Sequence, residues 1–174
     1  MPNDMSPTGA AEFDLFGRFQ GTCQAWGLFE DRSGAPKRSF EVTTTGRYTS
    51  PTTFELAEAF TYDDGEIETR VWKFQEKAEG VWTGTCAECV GEADVRVFET
   101  YATMTYTFRL QLKTRTIDLR FCDRFYPIGK SAVMNRTDVT KFGLRVGQVS
   151  ALFARADAAK TGERGHVNAS HVAA

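Results

Sequence analysis

Four polar residues stand in rows that otherwise read as apolar: Glu58, Arg70, Tyr106 and Asp123. Side chains of an extended chain alternate between two faces. Glu58 shares its face with Phe54, Leu56, Phe60 and Tyr62, and Arg70 shares its face with Trp72 and Phe74. Asp123 falls in the row of Ile117, Leu119, Phe121 and Phe125, and Tyr106 in that of Phe108, Leu110 and Leu112. A carboxylate carried inward must be paired or protonated, because an isolated buried charge is costly. Glu58 and Arg70 meet that demand as an ion pair, which favours an ionised Glu58. The pair reads either as a structural one that neutralises itself or as a polar anchor inside a ligand cavity. Asp123 is expected opposite Tyr106, as a buried hydrogen bond or, with a raised pKa, as a general acid or base. Asn135 and Arg136 are adjacent, so one of them faces inward. Arg136 is a candidate anchor for a carboxylate or phosphate head group, or a brace at the rim of the fold. The candidate ligand-binding set is therefore Glu58, Arg70, Trp72, Tyr106, Asp123 and Arg136, and no residue is assigned a catalytic role.

Other chemistries find no support in residue type or spacing. Only His166 and His171 occur, both in the Ala- and Gly-rich C-terminal stretch. That argues against a histidine-ligated haem and against a Ser-His-Asp or Cys-His site within the folded part. Cys86-Ala-Glu-Cys89 is a lone CxxC, whereas a zinc ribbon needs a second pair at similar spacing. A structural zinc, a redox pair and ordinary half-buried thiols are the alternatives, the last being the favoured reading. No cofactor and no metal are expected.

The elements that must position these residues are strands. Phe54 to Phe74 reads as one long hairpin turning at Asp63-Asp64-Gly65. A three-residue loop with Gly65 in the left-handed region sets Tyr62 against Glu66, Glu58 against Arg70, Leu56 against Trp72 and Phe54 against Phe74. A two-residue loop would lose those pairings, and register follows the apolar rows. A first strand is expected to begin near Phe19, with Gly17, Gly21 and Gly27 marking bulges or bends. Lys37 to Tyr48 is a second strand. Val81 to Thr85 is a short one, followed by an irregular or briefly helical stretch from Ala87 to Asp94. Thr103 to Leu112 and Ile117 to Phe125 make a further hairpin, Pro127 to Lys130 a turn, and Val133 to Thr140 and Leu144 to Phe153 the last strands. Short strands, tight turns and little helical periodicity indicate an all-β antiparallel up-and-down meander closing into a barrel of about eight to ten strands. A two-sheet sandwich is the alternative.

At 174 residues the chain fits one domain with tails: flexible segments at 1–12 and 156–174 around a barrel at 13–155. A chain this long buries about 70% of its unfolded surface and needs no staple. A net charge of -2 with both signs interspersed gives no nucleic-acid-binding face. No run approaches the roughly 18 apolar residues of a membrane-spanning helix. Residues 1–11 lack the basic start and apolar core of a signal peptide, so a cytoplasmic location is expected. No feature sets an oligomeric state.

Several segments, in order and spacing, resemble one family. They are Phe13 to Gly17 with Ala25-Trp26-Gly27 and Asp31 to Gly34; Phe60 to Glu66 with Arg70-Val71-Trp72; Gly84-Thr85 with Val90 to Ala93; and Asn135-Arg136 with Lys141-Phe142-Gly143 and Val146-Gly147. Together they resemble the bacterial domain-of-unknown-function family 3833, often labelled as lipoproteins. The resemblance covers about Phe13 to Arg155. It implies a lipocalin-like β-barrel and an envelope location, and it implies no activity. The chain departs from the family pattern in lacking the anchoring cysteine of a leader, in carrying Cys86 and Cys89, and at Arg124-Phe125. The function expected is a non-catalytic barrel binding a small amphipathic or lipid-like ligand. A filled structural barrel and a carboxylate-based isomerase or cyclase are the alternatives.

Overall fold

The structure, a computed structural model, describes residues 13–156. The segments expected to be flexible, 1–12 and all but the first residue of 156–174, lie outside the described residues, and so do both histidines. Among the described residues, ten strands follow one short helix, α1 (Leu15–Phe19). They are β1 (Gly21–Asp31), β2 (Pro36–Ser50), β3 (Thr53–Tyr62), β4 (Ile67–Ala78), β5 (Val81–Thr85), β6 (Ala93–Val97), β7 (Ala102–Gln111), β8 (Thr116–Ile128), β9 (Ala132–Lys141) and β10 (Leu144–Arg155). Each strand pairs antiparallel with the next, and β10 pairs back with β1, so the meander closes into a barrel.

The β3–β4 hairpin adopts the three-residue loop that its sequence demands. The Tyr62 N–H donates to the Glu66 carbonyl at 2.9 Å, the Gly65 N–H donates to the Tyr62 carbonyl at 2.9 Å, and Gly65 has φ 83°. Phe54 lies opposite Phe74, Leu56 opposite Trp72 and Glu58 opposite Arg70. The β7–β8 hairpin differs from expectation by two positions. Its turn closes with the Leu112 N–H on the Arg115 carbonyl at 2.8 Å, which leaves Leu112 outside the ladder. Tyr106 therefore faces Phe121, and Asp123 faces Met104. Tyr106 and Asp123 become diagonal neighbours on one face rather than a direct pair.

Three further corrections concern element boundaries. The first strand begins at Gly21, two residues after Phe19, and is preceded by the short helix α1, which the sequence reading did not place. Asp14 caps it, accepting the Gly17 N–H at 2.9 Å, and Leu15, Phe16 and Phe19 all point into the core. Pro127 and Ile128 belong to β8 rather than to a turn, and Ala93 and Asp94 already belong to β6. The bulge in β1 lies at Phe29/Glu30, while Gly27 makes room for the Phe40 ring.

Helix α1 closes one end of the barrel. The Phe16 ring sits 5.1 Å from those of Phe54 and Phe74 and 4.3 Å from that of Trp82. Phe19 packs at 5.1 Å on Phe153. Arg18 ties the helix to the β8–β9 turn, donating to the carbonyls of Gly129 and Ala132 at 3.0 and 3.2 Å. Gly46 admits the helix end: a Cβ there would lie 2.1 Å from the Phe19 carbonyl oxygen. Residues of this floor are buried, whereas Phe40, Tyr62, Leu110 and Leu119 at the other end are half-buried and form the mouth. Deleting a fully packed aromatic side chain costs about 3–5 kcal/mol. Phe16→Ala is expected to lower the unfolding free energy by that amount in urea denaturation, with the strand signature of the folded protein retained in circular dichroism.

Candidate functional site

The barrel is not filled. A cavity of about 470 Å³ runs from the α1 floor to the mouth. Phe16, Phe19, Leu56, Trp72, Met104, Phe121 and Phe153 are among the apolar residues lining it, and Glu58, Glu68, Arg70, Tyr106, Asp123, Asn135 and Thr137 supply its polar groups. Each polar residue lies on a strand position whose parity points inward, so the closed sheet converges them on one space.

Arg70 organises one side. Its Nη2 bonds a Glu68 carboxylate oxygen, its Nη1 lies 3.7 Å from Glu58 Oε2, and its Nε lies 3.9 Å from Glu88 Oε2. The guanidinium sits over the Phe108 ring at 4.4 Å and over Phe60 at 5.2 Å. The Tyr62 hydroxyl donates to Glu68 at 2.9 Å. Glu88 comes from the loop 86–92 that continues the wall above the short strands β5 and β6. That loop is held on β7 by Val90 N–H to the Thr107 carbonyl at 2.8 Å and by Arg109 N–H to the Glu88 carbonyl at 2.9 Å. On the opposite side Asp123 accepts the Thr137 hydroxyl and takes further hydrogen bonds from Tyr106 and Asn135.

Burial dominates the titration of the interior carboxyls. Desolvation pushes Glu58 up to about 7, although Arg70 and the Trp72 indole favour its charged form. Arg70 does favour the ionised form of Glu58, but at 3.7 Å, and shared with Glu68, the guanidinium offsets only part of the burial cost. Desolvation likewise raises Asp123 to about 6, against the hydrogen bonds from Thr137, Tyr106 and Asn135. Tyr106 is held well above its usual value, first by burial and then by the Asp123 charge beside it.

A family profile described as "Protein of unknown function (DUF3833)" matches residues 3–155. The chain belongs to that family. No curated protein matches the sequence. Among solved structures, the barrel of this family member is similar to the S-type phycobiliprotein lyase CPES of Guillardia theta. That match has 9% identity and a TM-score of 0.52, over 81% of this chain and 90% of that one. It is also similar to two designed barrels. One is the redesigned barrel mFAP1 bound to DFHBI (12% identity, TM-score 0.44, 80% of this chain and 96% of that one). The other is a fluorescence-activating β-barrel designed de novo (13% identity, TM-score 0.45, 82% and 98%). At such identities the lyase likeness speaks to fold alone, and the two weaker matches carry no argument.

Within this DUF3833 fold the sequence-derived residues separate cleanly. Glu58, Arg70, Trp72, Tyr106 and Asp123 all line the cavity. Arg136 does not: it is exposed on the outer face of β9, and Asn135 takes the inward position. Asn135 is the inward member of the Asn135–Arg136 alternative, while Glu68, Thr137 and Arg38 are additions, although Glu68 shares the parity of Arg70 and Thr137 that of Asn135. Glu88 carried no signal, since its loop has no period. Cys86 and Cys89 are half-buried in that loop without a disulfide, and burial pushes the Cys86 thiol up to about 12.

The raised carboxyls make stability depend on pH. Glu58 and Asp123 hold their protons more tightly in the folded chain than at their ordinary values of 4.5 and 3.8. Their contribution is complete below those values and is lost as pH rises through about 6 and then about 7. The surface carboxyls Asp63, Asp64 and Asp118, held low by hydrogen bonds, act in the opposite sense and below their ordinary 3.8. Thermal unfolding of the wild type is expected to move to lower temperature from about pH 5 to about pH 8. Glu58→Gln should flatten that slope; an unchanged slope in the variant would place the titrating group elsewhere.

Proposed function

We propose that this protein binds one small amphipathic molecule inside its barrel and does not transform it. The observation that carries this reading is the cavity itself. About 470 Å³ of space walled by aromatic and aliphatic side chains encloses a buried polar cluster. Ligand sites of drug-sized molecules have this size and make-up, with a few convergent polar groups fixing orientation. A purely structural barrel would gain more by filling the space, because interiors otherwise pack at crystal-like density. The apolar wall near Trp72, Met104 and Phe153 takes a chain or ring, and the cluster around Arg70 and Asp123 takes a head group.

Native mass spectrometry of freshly purified protein, set beside its denatured mass, tests the reading. The expected result is a small-molecule adduct that disappears on denaturation, or one acquired from a lipid extract. A bare mass under both conditions overturns it.

A second reading, acid–base chemistry on the bound molecule, has one observation in its favour. Asp123 lines the cavity with its pKa raised to about 6, near the range a general base needs. Once a ligand is identified, incubation with stoichiometric wild type and Asp123→Asn separates the two. Recovery of unaltered ligand from both supports binding alone, and conversion by the wild type but not by the variant supports the second.

A further inference from the structure

The polar end of the cavity has a charge pattern that selects among ligands. Each guanidinium lining the cavity already stands in an ion pair. Arg70 is met by Glu58, Glu68 and Glu88, and Arg38 at the mouth is met by Asp64 and Glu66. Asp123 adds a further carboxyl whose direct partners, Thr137, Tyr106 and Asn135, are uncharged. The lining and its ion-pair partners thus set six carboxyls, Glu58, Asp64, Glu66, Glu68, Glu88 and Asp123, against two guanidiniums. An anionic head group would enter a space in which carboxyls outnumber guanidiniums, and the buried Nε groups of Arg70 and Arg38, which have no hydrogen-bond partner among the described residues, are the donors it would have to reach.

The aromatic wall points the same way. The ring face carries negative charge density, and rings beside carboxylates are the usual surroundings of bound ammonium groups. Phe60, Phe108 and Tyr62 already face a guanidinium, Arg38 lying only 3.5 Å above Tyr62. Tyr106 and Phe121, stacked at 5.2 Å, line the cavity beside Asp123; Arg70 acts on the Tyr106 hydroxyl, but among the described residues no guanidinium stands over either ring. Together they offer an aromatic surface and a carboxylate to one small cation.

Building on the binding reading above, we infer that the ligand is an amphiphilic organic cation. Its amine or quaternary ammonium lies between Asp123, Glu58 and the Tyr106–Phe121 rings, and its apolar part runs toward Trp72 and Phe153. Acidic groups at the mouth, Asp64 and Glu66, favour approach of the same charge. The groups facing the ammonium are Glu58 from β3, Glu68 and Arg70 from β4, Glu88 from the loop, Tyr106 from β7, Asp123 from β8, and Asn135 and Thr137 from β9. Glu58 and Asp123 are the ones that change charge near neutrality.

Three probes of matched chain length test this: decyltrimethylammonium, decanoate and decanol, each titrated into the full-length protein by calorimetry. The ammonium is expected to bind about tenfold or more tightly than decanoate at neutral pH. Its affinity should rise as pH increases through about 6 to about 7. The probe itself does not titrate, so that rise reads the protein alone and needs no variant to fold. Glu58→Gln, where it folds, should shrink the preference for the cation. Decanoate binding as tightly as the ammonium, or an ammonium affinity flat with pH, overturns the inference while leaving the binding reading in place. Failure of all three probes to bind removes the binding reading, and this inference with it.

Discussion

When β10 hydrogen-bonds back to β1, from Cys23 opposite Arg155 to Asp31 opposite Gly147, the sheet loses both edges. That closure is what the rest of the molecule depends on. With no edge, each strand has only an inner and an outer face, and a residue's parity decides which it occupies. A glutamate in an apolar row is then committed to the interior. Its charge must be answered there by other inward rows and by the loop 86–92, whose Glu88 reaches the same cluster. The polar cluster is a direct consequence of closing a meander whose rows are not purely apolar.

Burial of Arg70 shows how the interior meets that demand. A guanidinium stays charged under all ordinary conditions, so its cost is met by partners and not by titration. Glu68 takes one nitrogen, Glu58 and Glu88 stand further off, and two aromatic rings cover its faces. The carboxyls are the adjustable members. Glu58 and Asp123 rise toward neutrality because desolvation outweighs the charge and hydrogen bonds that would keep them ionised. The cluster therefore has one permanent charge, on Arg70, and two carboxyls, Glu58 and Asp123, that respond to what shares the space.

How much of this was legible in the sequence depended on period and on turn chemistry. The β3–β4 hairpin was readable because Gly65 fixes the loop and the aromatic residues fix the row, so Glu58 and Arg70 were paired correctly. The β7–β8 register was misplaced because Lys113 to Thr116 contains no glycine or proline to pin the turn, and Leu112 looks like one more inward residue. Arg136 could not be separated from Asn135 by type: the outer face of β9 is as polar as its inner one. Helix α1 is too short for periodicity to register. Its evidence was limited to Asp14 ahead of Leu15, Phe16 and Phe19. The cavity depends on side-chain packing across strands far apart in sequence, so neither period nor spacing could reveal it.

Chain direction adds a property of orientation. The helix α1 at the start of the described chain and Arg155 at the end of β10 both lie at the closed floor, while the β3–β4 hairpin tip bearing Tyr62, Asp64 and Glu66 lies at the mouth. Anything joined at either end of the barrel, whether a surface, a fused domain or a resin, therefore attaches to its blind side. The opening of the cavity then lies at the end of the barrel away from the attachment.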